Sequence, residues 1–527
     1  MAIIGAGIAG IAVALAAAEE GVHFQIYDRN NEVGGTWLTT TYPGIGVDTP
    51  SAYYSLSREV NPDWSNYYPE GAEYQDYLVA LADKHELRRH IRFGTEVEAL
   101  WWDEQRQQWQ IHARAADGVR TVDYASVVVT AAGYLNRPPR FPDIKGRDTF
   151  SGTSIHSALW DPPTLDLAGK KVAVIGGAGC TAVQIVDACV DQVEHLTVFQ
   201  RQPHWVAPRK RLSDEVPEHR RYLGRVLPFY AMWHRLKSYW GGTADNNYPI
   251  ILQDPEWSQT HLSISPPAND VLLQMCLDYI ERMFGAGTEL AGKVTPPDFA
   301  PYGKRIIRDP PGGYYAALTR EHVDVEASEP AEVNAGGIVT ADGRQIDLDV
   351  IIYATGYHLD FLSTVDIRGR GGKTLAGGEW GDSPRAYRGG TVPGFPNLFI
   401  TSAPPNYSPG HGAGANFSME VLAHYILECL QLMALRGATT IEVTEKAFEE
   451  YVAGIDQAMQ RTVWCHTPER PHVLPVGIGS RRRRHPRIDW STCGSSTALP
   501  SKRISCCNES DPCRQDGVGD RKQSRDR

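Results

Sequence analysis

The chain has 527 residues, 42% hydrophobic and 22% charged, the make-up of a globular protein with room for two or three domains and a large core. A formal net charge of −11 argues against nucleic-acid binding, which needs a basic face to neutralise phosphates. No apolar run is long and uninterrupted enough to predict a bilayer span, and no basic, cleavable leader opens the chain. Nine cysteines without a Cys-x-x-Cys pair read as reduced thiols, so a cytoplasmic protein is expected.

The first four residues read as a short buried strand. Gly5-Ala6-Gly7-Ile8-Ala9-Gly10 follows, then an alanine-rich helix over 11–19, a strand over 23–27, and Asp28. This order is that of a dinucleotide-binding βαβ unit: Gly5 permits the tight turn, Gly7 lets the backbone approach a pyrophosphate, and Gly10 allows close helix–strand packing. The pyrophosphate would sit at the positive end of the helix, and Asp28 would accept a hydrogen bond from the adenosine ribose. Next come Gly34-Gly35-Thr36-Trp37 and the run Tyr42-Pro43-Gly44-Ile45-Gly46-Val47-Asp48. By residue type alone, Asp48 fits the cap of a turn. An amphipathic helix is expected over 70–89 and a β-meander over 93–116, with Trp101, Trp102 and Trp109. A strand over 126–130 then runs into Ala131-Ala132-Gly133.

A proline-punctuated linker leads to Phe150-Ser151-Gly152-Thr153-Ser154-Ile155-His156-Ser157-Ala158-Leu159-Trp160-Asp161. A second βαβ unit begins with a strand over 172–175 and a helix over 183–190. Between them Gly177, Gly179 and Ala182 fit a Gly-x-Gly-x-x-Ala turn, with Cys180 and Thr181 inside it. One additional residue, Gly176 or Gly177, leaves the register of this loop open. The following strand, 196–200, ends at Arg201, where an NAD site would place an acidic residue. An arginine there, with Gln202 beside it, suits the extra 2′-phosphate of NADP.

From residue 209 to about 292 the spacing turns helical, with helices expected over 222–240 and 270–284. Phe229, Tyr230, Trp233, Tyr239 and Trp240 in this insertion fit a core stripe, a hydrophobic tunnel or a membrane-facing surface. Lys304-Arg305 then precede Asp309 and Gly313-Tyr314-Tyr315, and a strand over 350–354 leads into Thr355-Gly356-Tyr357. Further on come the loop Gly410-His411-Gly412 and helices over 417–432 and 445–459. From about 480 the chain carries Arg481–Arg484, few large apolar residues, and Cys493, Cys506, Cys507 and Cys513 without metal-site spacing. Such a composition predicts a disordered tail.

Together these stretches resemble the Baeyer–Villiger monooxygenases, flavin enzymes that insert oxygen beside a ketone carbonyl. The Phe-x-Gly-x-x-x-His-x-x-x-Trp-Asp run formed by Phe150, Gly152, His156, Trp160 and Asp161 is similar to their linker signature; related nitrogen- and sulfur-oxidising flavin enzymes carry Tyr or Phe in place of Trp160. The resemblance covers roughly residues 1–466. Its details, the runs VDTPSAYYSLS and GKR…D…YY, are most like the 4-hydroxyacetophenone monooxygenase group. Departures include Ala132 and Gln202 where threonine is usual, and the tail, which lacks the family's aromatic closing segment.

The resemblance implies an α/β fold with two Rossmann-like dinucleotide-binding domains, for FAD and NADP, and a helical insertion. Residues 1–140 and 346–479 would form the FAD domain, 141–208 the linker and first part of the NADP domain, 209–294 the insertion, 295–345 the second NADP part, and 480–527 the disordered tail. Gly35, Thr36, Trp37 and Asp48 would line the flavin, and Arg305 would be the catalytic arginine, paired with Asp48. Gly177, Gly179, Thr181, Ala182, Arg201, Gln202 and Lys304 would hold NADPH, with Thr355 and Gly356 returning the chain to the FAD domain. The implied reaction uses NADPH, O2 and a ketone to make an ester or lactone through a flavin peroxide kept deprotonated by Arg305. His156 would couple domain motion to cofactor binding without transferring a proton. No metal is implied. Competing readings are an N- or S-oxidising flavin enzyme, a cofactor-binding paralogue with impaired turnover, and a disulfide reductase, which needs the absent Cys-x-x-Cys.

Overall fold

The computed structural model describes residues 1–133, 138–160, 165–177, 179–209, 215–227, 229–241, 244–358, 362–381, 383–401, 414–465 and 504–507. Two five-stranded parallel sheets organise it. The first has the order Leu398–Ile400, Val128–Thr130, Ala2–Ile4, Gln25–Tyr27, Ile91–Arg92. Its strands are short Ile/Val-rich runs because both faces are covered. Ile3, Val129 and Phe399 point to a helical layer that includes Ile8–Glu19 and Gly414–Arg436. Ala2, Ile4, Val128 and Ile400 point the other way, onto a four-stranded sheet whose meander, Thr95–Asp103, Gln108–Ala115 and Arg120–Ala125, carries Trp102 and Trp109.

The second sheet repeats the pattern in the order Val323–Glu326, His195–Phe199, Lys171–Ile175, Val350–Tyr353, Thr153–His156, again all parallel. Val172, Val174, Leu196 and Ile352 face the helix Cys180–Cys189 and the insertion, while Ala173, Ile175, Phe199 and Tyr353 face the other side. The α/β architecture with two nucleotide-binding units is therefore the one read from the sequence.

Several elements differ from expectation. The first helix starts at Ile8, so Gly10 lies inside its first turn. The amphipathic helix spans Gly71–Lys84, followed by a separate turn of 3-10 helix at Leu87–His90. The stretch expected as one helix over 222–240 is two, Glu218–Val226 and Tyr230–Gly241, separated where the sequence has Pro228, which lacks an N–H to donate. The Gly152–His156 stretch is more than a linker, for Thr153–His156 is the edge strand of the second sheet.

The helix Gly414–Arg436 contains a span, Asn416–Arg436, long and apolar enough to cross a bilayer, where the sequence reading expected none. Its Leu422, Ala423, Ile426 and Cys429 are buried in the first domain's core and it packs along Ile8–Glu19, the setting of a core helix. Of the tail, only Ile504–Cys507 is described, a strand antiparallel to Thr440–Val443. Asp161 and the loop Gly410-His411-Gly412 lie outside the described residues.

Candidate active site

Each sheet ends in a glycine turn feeding a helix, and the two turns superpose in their chemistry. Gly5 donates its N–H to the Tyr27 carbonyl at 2.8 Å, and Gly176 donates to the Phe199 carbonyl at 3.1 Å. Both adopt positive φ, +112° and +106°, and in both a Cβ would lie 2.5 Å from a backbone carbonyl, that of Ala131 or Ala354. The left-handed conformation and the contact each demand glycine. The open register is thereby decided: Gly176 is the counterpart of Gly5, Gly179 caps its helix as Gly7 does, and Ala182 stands where Gly10 does. The second turn is one residue longer.

Pairing Tyr27 with Phe199 also moves the expected specificity position by one. Gln200, not Arg201, is the counterpart of Asp28, and Arg201 lies one residue further on. Asp28 is buried, with Oδ2 accepting from Ala6 N–H at 2.6 Å and Oδ1 from Asn30 N–H at 2.8 Å, which leaves lone pairs for a ribose hydroxyl. Gln200 is also buried, but neutral, and its amide donates to the Lys293 carbonyl at 3.2 Å. Neither helix has an acidic residue in its first turn or a side-chain cap, so the first-turn N–H groups of both are available to phosphate. The residues present thus fit two dinucleotides.

Around the second turn three cations gather. Lys304 is buried, donates to Gln202 Oε1, and lies 5.1 Å from the Phe299 ring centroid. Arg201 pairs with Glu329 and lies close enough to Arg140 to help burial lower the pKa of Arg140. Arg140 in turn donates to the Thr355 carbonyl at 3.1 Å. Two guanidiniums and an ammonium around one turn suit a dianionic phosphate rather than a bare ribose. Arg140 carries no sequence signal; only the fold brings it to Arg201.

Arg305 crosses from the second unit to the first and pairs through Nη2 with Asp48 Oδ2. Their side chains are 39% and 30% exposed, neither core nor fully in bulk solvent. The pair is held from both ends. Ile307 N–H donates to the Trp205 carbonyl at 3.0 Å, starting the parallel pairing of Val206–Pro208 with Ile307–Asp309, and Val47 N–H donates to the Pro69 carbonyl at 2.9 Å. Cys180 lies within the field of this pair, and burial holds its thiol above the usual range, so it stays protonated and inert. A second guanidinium, Arg209, stacks 4.1 Å over the Tyr68 ring and also senses Asp48; burial lowers its pKa. The sequence reading had Arg209 only as the start of the insertion.

The two units are locked beside this cleft. Tyr42 donates to Gln184 Oε1 at 2.7 Å, Gln184 Nε2 donates to the Gly46 carbonyl at 3.0 Å, and Thr41 donates to the Trp160 carbonyl at 2.8 Å. Trp160 is buried with Tyr42 in the second unit's core. Trp37 packs on Tyr74 and Tyr54, with ring centroids 5.0 and 6.0 Å away. His156 is buried edge-on to Phe141 at 5.2 Å, and its Nδ1 accepts from Ala158 N–H at 3.1 Å, which puts any ring proton on Nε2. Burial, and then Arg140, lowers its pKa to about 4, so it is neutral at working pH. Asp309 ties the motif Asp309…Gly313-Tyr314-Tyr315 together: it accepts from Tyr314 N–H at 2.7 Å and from the Tyr279 hydroxyl at 2.6 Å, and the Tyr314 hydroxyl donates to the Gly177 carbonyl at 2.6 Å. The insertion helix Ala268–Phe284, which carries Tyr279, is thus hydrogen-bonded through to the second glycine turn.

Residues 2–223 match the family described as pyridine nucleotide-disulphide oxidoreductase, which spans the first nucleotide unit and the opening of the second. A Baeyer-Villiger monooxygenase of Streptomyces coelicolor is 35% identical over 470 residues, covering 88% of this chain and 84% of that protein. The chain belongs to the Baeyer–Villiger monooxygenase family. Among solved structures, a complex of OTEMO with FAD and NADP aligns with a TM-score of 0.80 at 25% identity, covering 96% of this chain and 99% of that one. The open crystal structure of cyclohexanone monooxygenase aligns at 0.75 and 28% identity, over 88% and 93% of the two chains. This Baeyer–Villiger monooxygenase is accordingly a FAD- and NADP-dependent flavoprotein.

Proposed function

We propose that the protein inserts one atom of O2 beside the carbonyl of a ketone, giving an ester or lactone, with Arg305 as the catalytic residue. The observation that carries this is the Arg305–Asp48 pair, which joins the second nucleotide unit to the first. Bound FAD, reduced by NADPH, supplies the activation of oxygen. Asp28 and the Gly5–Gly10 turn hold the flavin nucleotide. Arg201, Gln202, Lys304 and Arg140 hold the 2′-phosphate of the nicotinamide nucleotide. A guanidinium stays charged at any working pH, so Arg305 presents a fixed positive charge to the negative oxygen that must attack the carbonyl, and Asp48 fixes its orientation. Arg209 adds a second positive charge to the same field. His156, neutral and buried, is a positioning residue at the joint between units, not a proton donor.

The runs VDTPSAYYSLS and GKR…D…YY support a place in the 4-hydroxyacetophenone monooxygenase group, hence an aryl ketone substrate. Cys180, Cys189, Cys276, Cys429 and Cys465 are free thiols, which supports a reducing, cytoplasmic setting. The test is NADPH consumption and product mass across a ketone panel, for wild type and Arg305→Ala. We expect an ester one oxygen heavier than the ketone, and its loss by about 100-fold or more in the variant while NADPH oxidation persists. An S- or N-oxide without ester, NADPH oxidation that yields only hydrogen peroxide in wild type, or undiminished ester from Arg305→Ala would each overturn the reading.

A further inference from the structure

We propose that the outward face of the helical insertion is a docking surface for an anionic lipid membrane. The helix Tyr230–Gly241, with Phe229 just ahead of it, is built inside out. Phe229, Trp233, Leu236 and Trp240 recur at steps of four, three and four, the spacing of one helical face, and all four are exposed. Phe229 is 82% exposed and Trp233 65%. The face turned inward carries the polar residue: Arg235 is buried, donating to Glu420 Oε2 at 3.2 Å and to the Ser55 carbonyl at 3.3 Å. Tyr239 packs inward too, 4.8 Å from Phe417 and 6.0 Å from Tyr53. An ordinary surface helix buries its apolar stripe and shows its charges, and this one does the reverse. The preceding helix, Glu218–Val226, extends the exposed apolar surface with Tyr222 and Val226, one turn apart. Three large aromatics at such exposure, gathered with Leu236 on one helical face, are the kind of exposed apolar surface that marks an interaction site.

Charge selects the occupant. Apart from the buried Arg235, residues 215–241 carry four Arg and Lys, Arg220, Arg221, Arg225 and Lys237, against Glu215 and Glu218, in a chain whose net charge is −11. Trp and Phe on one face with Lys and Arg around them is the make-up of a helix that lies in the headgroup region of an anionic bilayer. A second copy is disfavoured, because a twofold interface would press this basic face against itself. The surface backs directly onto Tyr53 and Ser55, shortly after Asp48, so docking would bring the cleft near apolar ketones dissolved in lipid.

The test uses the full-length, FAD-loaded protein in flotation with phosphatidylcholine vesicles, and with vesicles in which a quarter of the lipid is phosphatidylglycerol. We expect wild type to float with the anionic vesicles, with a blue-shifted tryptophan emission, and to be released by raised salt. The triple variant Phe229→Ser, Trp233→Gln, Leu236→Gln should bind about tenfold more weakly, while NADPH-driven oxidation of a water-soluble ketone is unchanged. Lys237→Glu, which leaves the stripe intact, should weaken binding to anionic vesicles several-fold. Wild type left at the bottom of both gradients, equal flotation of wild type and the triple variant, or a concentration-dependent dimer that the triple variant abolishes would overturn the proposal, the last in favour of a second copy.

Discussion

The two nucleotide units share a sheet pattern, a glycine turn and an alternation of buried faces, yet differ in the length of the turn and in the charge that follows the second strand. In the first unit two residues separate Gly5 from the helix start, and a buried acid, Asp28, follows the second strand. In the second the turn is one residue longer, neutral Gln200 replaces the acid, and Arg201, Arg140 and Lys304 surround the turn. The comparison teaches that one scaffold can keep its sheet pattern and glycine turn while the position beyond the strand end changes from a buried acid to a neutral amide with an arginine beside it.

The sharpest way to break the symmetry is at the third glycine. A Cβ on Gly10 would lie 1.9 Å from the Gly5 carbonyl, so Gly10→Ala should yield protein without bound FAD, read from its absorbance, whereas Ala182→Gly should retain FAD and lose only about 1 kcal/mol of stability. Next in size is a pH effect confined to the second unit. His156 takes a proton near pH 6.5 when unfolded but only near pH 4 when folded, so stability falls as pH drops below 6.5 and the loss is complete below about 4. The full effect is roughly 3 kcal/mol, from about 1.4 kcal/mol per pKa unit. His156→Gln should flatten the acid limb of a denaturation-versus-pH curve without abolishing it, because burial, and then Lys304, also depress His204, to about 3.

A smaller change follows at the phosphate. Arg201→Ala should reduce the preference for NADPH over NADH about 10- to 100-fold, since a hydrogen bond to a charged group contributes about 1.5–3 kcal/mol, and FAD content should not move. An unchanged coenzyme ratio would remove Arg201 from the site. The smallest effect is expected at Tyr314, where loss of the hydroxyl in Tyr314→Phe frees the Gly177 carbonyl. KM for NADPH should rise several-fold, in line with about 0.5–1.5 kcal/mol for a neutral hydrogen bond, with kcat at saturation retained.

Much of this was legible in the chain because the relevant signals are local. Glycine at fixed offsets, apolar runs of strand length and the acid or base after them are set by backbone sterics and by the ligand's charge, and both leave marks within a few residues. The register of the second turn was not legible, because Gly176 and Gly177 are the same residue type and only the contact of Gly176 with Ala354 distinguishes them. Arg140, Arg209 and Tyr68 were not legible for a different reason: their partners lie far away in sequence, and no spacing rule connects Arg140 with Arg201 or Arg209 with Asp48. That Thr153–His156, inside the linker motif 150–161, is a strand was not legible, because four residues at a sheet edge give too short a pattern to distinguish from loop.

The chain passes between the two domains twice, and the described parts of both passages run side by side. Arg140 N–H donates to the Gly356 carbonyl at 2.9 Å, and His358 N–H donates to the Pro138 carbonyl at 3.3 Å. The Thr355 hydroxyl also donates to the Arg140 carbonyl, at 2.5 Å. A single tether would let one domain spin about it freely. Two strands of chain stitched together resist relative twisting in a way that one cannot, so these hydrogen bonds add to the register in which the two halves of the molecule meet.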